Sequence, residues 1–443
     1  MNQQKYNLFT TITMIVGIVI GSGIFFKSDN VLFSTNGNIF LGIIVFILAA
    51  FSIIFGSLSI SMLASRTDEA GGIITYSEKF WNKSIACAYG WFQTFIYYPT
   101  IICVVAWVVG IYGSILFGID STLEIQVIIG AISITLLFIL NILSYRLGGY
   151  LQSSSTIIKM IPLILIAAAG LIFGNPTPVL KESINMASNV GLGWISAIGP
   201  IAYSFDGWII STSIGHEVKN SKRNLPLALI ISPLIILTIY VLYFVGISTF
   251  LGAESIMSSG DAHVNEAALK LFGSFGAKII LVFVVISVLG TVNGVIIGMM
   301  RLPYSLAIRN MIPNSKKFDT ISEKYGISLS SAILSYVISI LWMVIHYITQ
   351  KYNLLPNSDV SEISIVTNYA GFILMYAAVI KLAKKGEIKN KFMGYVVPIL
   401  ATIGSLFILY GGLQNPLFLY YVAFCILVVV VALVYYKKKV NLS

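Results

Sequence analysis

The sequence predicts an all-α integral membrane protein of twelve transmembrane helices, and three observations carry that prediction. Of the 443 residues 57% are hydrophobic and only 10% charged, whereas a soluble domain carries about 25% charged residues. Apolar runs of membrane length recur from residue 8 to residue 436 with no soluble-looking interval between them. Two of those runs, one in each half of the chain, are interrupted by glycine beside polar groups. The first two observations exclude an ordinary water-soluble enzyme.

A helix crossing about 30 Å of hydrocarbon needs about 20 residues at about 1.5 Å each. Windows of that size fall at 8–26, 38–64, 84–110, 124–145, 151–174 and 193–215, then at 226–250, 277–300, 328–348, 363–381, 393–412 and 416–436. The first run follows Lys5 as a secretory signal would. It continues from Leu8 to Phe26 without a small-residue cleavage pattern, however, and is read as a retained helix. All the runs are apolar on every face and longer than the alternating strands, roughly 10 residues each, of a membrane barrel. Between the second and third spans, Ala70 to Tyr76 is apolar and glycine-bearing but too short to cross. An interfacial segment and a simple loop both remain open there.

The net charge is +10, and its distribution says more than its size. Of the 27 Lys and Arg residues, 21 fall on the side that holds the N-terminus, five on the other, and Lys159 lies within a span. The positive-inside rule then places both termini in the cytoplasm and the chain in the cell membrane. The lysine runs at 384–391 and 437–439 are accounted for by anchoring at the lipid bilayer. No aromatic-basic platform accompanies them, so no nucleic-acid partner is expected.

Cys87, Cys103 and Cys425 lie inside apolar stretches and form neither a disulfide ladder nor a CxxC metal pattern. They read as small buried hydrophobes. His216, His263 and His346 are far apart and no HExxH is present, while Walker A and GxSxG patterns are also missing. No metal, no cofactor and no enzymatic activity are expected.

The first span contains Gly17 and then GSGIF at 21–25; the sixth contains YSFDGW at 203–208. Glycine weakens a helix where no water can replace its lost hydrogen bonds, so such breaks survive only where they line a protein cavity. Interrupted segments at corresponding places in two halves point to a secondary transporter of inverted repeats with its site at the midplane. Gly21 and Gly207 mark the two breaks. Freed N–H groups at one broken end favour an anion and freed carbonyls at the other a cation, which suits a zwitterionic amino acid. On this reading the amides near Ser22 and Gly23 take the carboxylate. Carbonyls near Val19, Tyr203, Ser204 and Asp206 take the ammonium.

These residues resemble the L-amino-acid transporter branch of the amino acid, polyamine and organocation superfamily. The resemblance rests on GSGIF, on YSFDGW, on EVKNSKRNLP at 217–226, and on the eighth span running through NG at 293–294 into RLPYSLAIRNMIP at 301–313. It is especially close to the prokaryotic serine/threonine and alanine/serine/cysteine exchangers of that branch. It implies a LeuT-like fold of five helices plus five inverted, with 8–174 and 193–381 as the repeats, helices 1 and 6 broken, and 393–436 as two accessory helices. It further implies sodium-independent exchange of small neutral L-amino acids, with Tyr203 as a gating aromatic; an interfacial or packed tyrosine is the rival reading. Eukaryotic members join a heavy chain through a cysteine after the third span. The segment 111–123 has none, so no disulfide-linked heavy chain is expected and the chain is read as a monomer.

Lys159 and Asp206 are the ionisable groups deep in the predicted spans, and such groups are functional hypotheses by default. The resemblance implies that Lys159 couples substrate binding to movement of the first helix, standing where sodium-coupled members of the fold hold a cation. It would bond carbonyls of the first break, with Ser287 as a partner from span eight. A proton-coupling role ranks second and a snorkelling lysine third. For Asp206 the backbone is preferred over the carboxylate as the ligand, although a buried carboxylate facing a zwitterion would also favour basic substrates. His216 and Glu217 end span six, with Lys219, Lys222 and Arg223 beyond. A salt-bridge gate and a solvated helix end are the two readings, the second preferred. The function read from the sequence is therefore amino acid exchange by alternating access. Proton-coupled symport is the alternative, and a non-transporting amino acid sensor the alternative of another class.

Overall fold

The computed structural model describes residues 6–21, 23–198, 201, 204–260, 263–355, 359–413 and 417–442. Among the described residues the secondary structure is helical apart from one isolated bridge between Tyr6 and Val218. Among these residues ten helices are long and apolar enough to cross a bilayer: Ile39–Ala64, Lys83–Phe117, Leu123–Leu143, Arg146–Phe173, Ser221–Leu251, Lys278–Ala307, Leu329–Lys351, Glu362–Lys384, Phe392–Tyr410 and Phe418–Val440. Each overlaps one of the uninterrupted sequence windows. The two windows without a continuous helix of that length are the first and the sixth, which carry the glycine interruptions.

Helix α1 (Leu8–Val19) starts where the Asn7 side chain accepts the Thr10 amide at 2.8 Å, the usual device for an orphan donor of the first turn. It stops at Ile20, whose ψ of 86° leaves the helical region. The chain resumes as α2 (Gly23–Phe26) and α3 (Ser28–Ser34), then returns across the bilayer as α4 (Ile39–Ala64). The segment after α4 is a short helix, α5 (Ile73–Phe80), buried over its first turns. It lies so close to the sixth window that a Cβ on Gly72, at φ +51°, would sit 2.5 Å from the Thr212 carbonyl carbon.

Helices α6 (Lys83–Phe92) and α7 (Tyr98–Phe117) form one span, joined by a π-helical turn at Gln93–Tyr97. A π turn inserts a residue and re-aims the side chains beside it. Helices α8 (Leu123–Leu143), α9 (Tyr145–Phe173) and the short α10 (Pro176–Met186) follow. The sixth window holds two 3-10 segments, Leu192–Ala197 and Trp208–Glu217, the second entered through Gly207 at φ +95°. The second half continues with α11 (Ser221–Leu251), α12 (Ala253–Ser259), α13 (His263–Met299, bent at Gly273) and α14 (Leu302–Ala307). It ends with α15 (Leu329–Lys351), α16 (Glu362–Lys384), α17 (Val397–Gly412) and α18 (Phe418–Leu442).

The ends of the chain show how lipid acts as solvent. Along α18, Leu419 is 75% and Leu427 58% exposed, an apolar surface that only hydrocarbon satisfies. At the centre, α1 is wrapped by α9, α11, α13 and the second 3-10 segment. That burial places the interruption of the first span where its backbone groups need partners from the protein itself.

Candidate functional site

A helix end leaves its last carbonyls without intrahelical donors, and in a bilayer each unsatisfied group costs several kcal/mol. The end of α1 meets this by borrowing donors from three other spans. Lys159, on α9 and wholly buried, donates to Gly17 O at 2.7 Å, Ile20 O at 2.7 Å and Ser287 O at 3.0 Å, with Thr291 Oγ1 at 3.3 Å. The Thr291 hydroxyl in turn donates to Gly17 O at 3.2 Å. The Tyr240 hydroxyl, from α11, lies 3.1 Å from Val19 O and 2.9 Å from Ser204 O, its one proton shared between them. The same phenol therefore touches both interruptions.

Below Lys159 the same face of α9 grips α1 again. Thr156 Oγ1 donates to Thr13 O at 3.0 Å, and the Thr13 and Ser153 hydroxyls lie 3.2 Å apart. Gly17 makes this approach feasible, since a Cβ there would stand 2.0 Å from Thr156 Oγ1.

The sixth window faces the first at close range. A Cβ on Gly23 would meet Ser204 Oγ at 3.3 Å, and one on Gly207 would meet Ile18 Cγ2 at 2.8 Å. Asp206 is 9% exposed and its Oδ2 accepts the Tyr97 hydroxyl at 2.7 Å, a donor delivered by the π turn of the third span. Its buried Oδ1 closes no hydrogen bond; the Tyr369 hydroxyl and the Gly207 amide are its polar neighbours. Among the described residues no basic side chain pairs with it.

Gly21, Gly23, Ser204, Asp206 and Thr291 line the floor of a cavity of about 710 Å³, which is within the size range of small-molecule sites. Its mouth passes Lys27 and Glu362 and reaches the exposed Asn30 and Phe33, on the face opposite Tyr6. On the face that holds Tyr6 the structure is shut. The Tyr6 amide donates to Glu217 O at 3.0 Å and the Lys219 amide to Tyr6 O at 2.8 Å. Arg301 grips the Glu217 carboxylate with two bonds of 2.6 and 3.0 Å, both side chains being about nine-tenths buried.

Of the residues singled out from the sequence, Val19, Gly21, Gly23, Ser204, Asp206 and Gly207 come together at one place, with Lys159 behind the first interruption. Ser22 and Tyr203 lie outside the described residues. The Ser287 partnership runs through its carbonyl rather than its hydroxyl, and Thr291, one turn further along, adds the side-chain oxygen. The solvated reading of Glu217 is overturned: Glu217 is 5% exposed and ion-paired, because Arg301 reaches it from the end of the eighth span. Tyr97, Tyr240 and Arg301 escaped sequence reasoning. A tyrosine in an apolar run carries no mark of its hydroxyl's partner, whereas Arg301, 84 residues from Glu217, was visible as a charge at a span end.

The sequence matches the family model described as amino acid permease over residues 6–432. It is similar to the serine/threonine exchanger SteT of Bacillus subtilis, 30% identical over 416 residues that cover 92% of this chain and 90% of that protein. It is similar to the mouse b(0,+)-type amino acid transporter 1, at 24% identity over 98% of this chain and 87% of the relative. The human cystine/glutamate transporter is 26% identical over 70% of this chain and 62% of its own length.

Proposed function

The chain belongs to the amino acid permease family, and from that premise we propose that it exchanges small neutral L-amino acids of the serine, threonine, alanine and cysteine class across the cell membrane. Exchange is sodium-independent and proceeds by alternating access. The observation that carries this reading is the meeting of the two interruptions at the floor of an open cavity, with an ammonium fixed behind them. Such a floor offers main-chain dipoles of both signs to one zwitterion. The amides around Ser22 and Gly23 receive the carboxylate, and the ammonium lies against Val19, Ser204 and Asp206. Lys159 holds the position that a metal cation would need, which supports transport without sodium.

In this reading the chain has twelve spans: the ten continuous helices and the two interrupted ones. Residues 8–174 and 193–381 form inverted five-helix repeats, and 393–436 two accessory helices. Both termini face the cytoplasm, following the excess of Lys and Arg on that side, and the chain acts as a monomer without a disulfide-linked partner. Tyr203, which lies outside the described residues, is proposed as the gating aromatic that closes over bound substrate.

Purified protein in liposomes tests the proposal. Vesicles loaded or not with unlabelled serine are offered radiolabelled serine, with and without sodium and across pH gradients. Uptake confined to loaded vesicles and indifferent to sodium is expected. Accumulation in empty vesicles under an inward proton gradient would instead establish symport, and binding without uptake a sensor.

A further inference from the structure

The bilayer core of this protein buries two opposite charges that do not neutralise each other. Lys159 is surrounded by four oxygens from α1 and α13, none of them a carboxylate. Its surroundings are complete without substrate. Asp206 accepts the neutral Tyr97 hydroxyl at Oδ2, and the Tyr369 hydroxyl and the Gly207 amide, both neutral, are the other donors beside its carboxylate; among the described residues no basic side chain pairs with it. It lines the cavity floor. The carbonyls of Val19 and Ser204 already receive the Tyr240 phenol, so the carboxylate is the strongest acceptor at the floor, and the donors beside it are neutral groups that supply no countercharge.

With the cavity open, water in the mouth screens this charge. Alternation requires the cavity to close, and an uncompensated carboxylate shut away from water in a membrane interior is heavily penalised. The ammonium of a bound amino acid removes that penalty, while the substrate carboxylate finds its own partners at the Gly23 amide end. From this we infer that the Asp206 side chain is the residue that forbids the empty carrier to reorient, and so makes transport an exchange. Asp206 then acts on coupling as well as on affinity: bound substrate supplies the countercharge without which the site cannot occlude. The inference rests on the exchange reading above.

The test compares serine uptake into loaded and empty vesicles for the wild-type chain, Asp206→Asn, Asp206→Ser and Asp206→Glu, with folding checked by monodispersity. The wild-type ratio of loaded to empty uptake should exceed about tenfold, which corresponds to about 1.4 kcal/mol of barrier difference. In whichever neutral variant folds, the ratio should drop toward unity because empty vesicles begin to fill, and Asp206→Glu should restore it. A folded neutral variant that keeps the wild-type ratio overturns the inference, as does one silent in both kinds of vesicle, whose side chain would then serve binding alone. If the wild-type chain itself fills empty vesicles as fast as loaded ones, the exchange reading fails first, and that outcome is separate from anything the variants do.

Discussion

The two faces of the molecule are built from the same elements, α1, the sixth-window segments and α13, yet one stands open and the other is sealed. On the open face the floor of the cavity is glycine, Ser204, Thr291 and a carboxylate whose donors are all neutral. On the sealed face three polar layers follow one another: Lys159 on the carbonyls of Gly17 and Ile20, Thr13 with Ser153 and Thr156, and the Tyr6 bridge beside the Glu217–Arg301 pair. Layers of hydrogen bonds thus run through the seal, set among buried apolar side chains such as Met14, Ile18, Ile210 and Ile214. Water can replace such bonds at a net cost of only about 1 kcal/mol each, whereas separating packed hydrocarbon inside a protein forfeits contacts that water does not return. The polar layers are therefore the part of the seal that the proposed alternating access can break most cheaply.

The largest effect is expected where a polar layer is removed with nothing to replace it. Lys159→Ala strands the Ile20 carbonyl and leaves that of Gly17 with the Thr291 hydroxyl in place of an ammonium. Each charge-assisted bond lost is worth about 1.5–3 kcal/mol, so the initial rate of serine exchange into loaded vesicles should fall by about a hundredfold. A rate within about threefold of wild type would mean that the deepest layer contributes little to transport.

The outermost layer behaves differently, because it contains both signs. Arg301→Gln leaves the buried Glu217 carboxylate without its two-bonded guanidinium, His216 being 3.6 Å away, a change that typically costs about 3–5 kcal/mol. The sealed face should loosen, read as faster alkylation of a cysteine placed at Ser153 and as a lower melting temperature. Glu217→Gln/Arg301→Gln removes both charges and should recover much of the lost stability. If the double variant is no better than the single one, the pair is not acting as a unit and the outer layer of the seal has been misassigned.

How far these features could be read from the sequence depends on what kind of interaction carries them. The ten continuous spans follow from mean hydropathy, +0.92 over the chain, since lipid imposes length and apolarity on any helix that crosses it. The sites of interruption were visible because glycine beside serine or aspartate is anomalous in such a run, and Lys159 because a charge there is rarer still. What the sequence could not supply is direction. Nothing in SSSTIIK says that the lysine reaches the carbonyls of Gly17 and Ile20 rather than an acidic residue, and nothing in QTFIYYPT announces the π turn that carries Tyr97 to Asp206. Those outcomes are set by how helices distant in sequence pack. The same limit explains Glu217, which looks like a solvated helix end until the eighth span brings Arg301 against it.

Tyr240 distinguishes the faces most finely, because it sits between them and holds one carbonyl from each interruption. Replacing it with phenylalanine removes a single shared proton and leaves the ring in contact with Phe205 and Phe46. Packing should survive, and the loss is that of one neutral hydrogen bond, about 1 kcal/mol. Exchange should slow by about fivefold, with little change in thermal stability. The informative quantity is how that loss divides. If the phenol merely caps two orphan carbonyls, Tyr240→Phe frees them for the substrate ammonium and the KM for serine should fall even as the maximal rate drops. If it instead ties the two interruptions together as they move, the maximal rate falls and the KM does not improve. The first result would assign the carbonyls of Val19 and Ser204 to substrate binding; the second would assign them to the hinge, and leave the ammonium to Asp206.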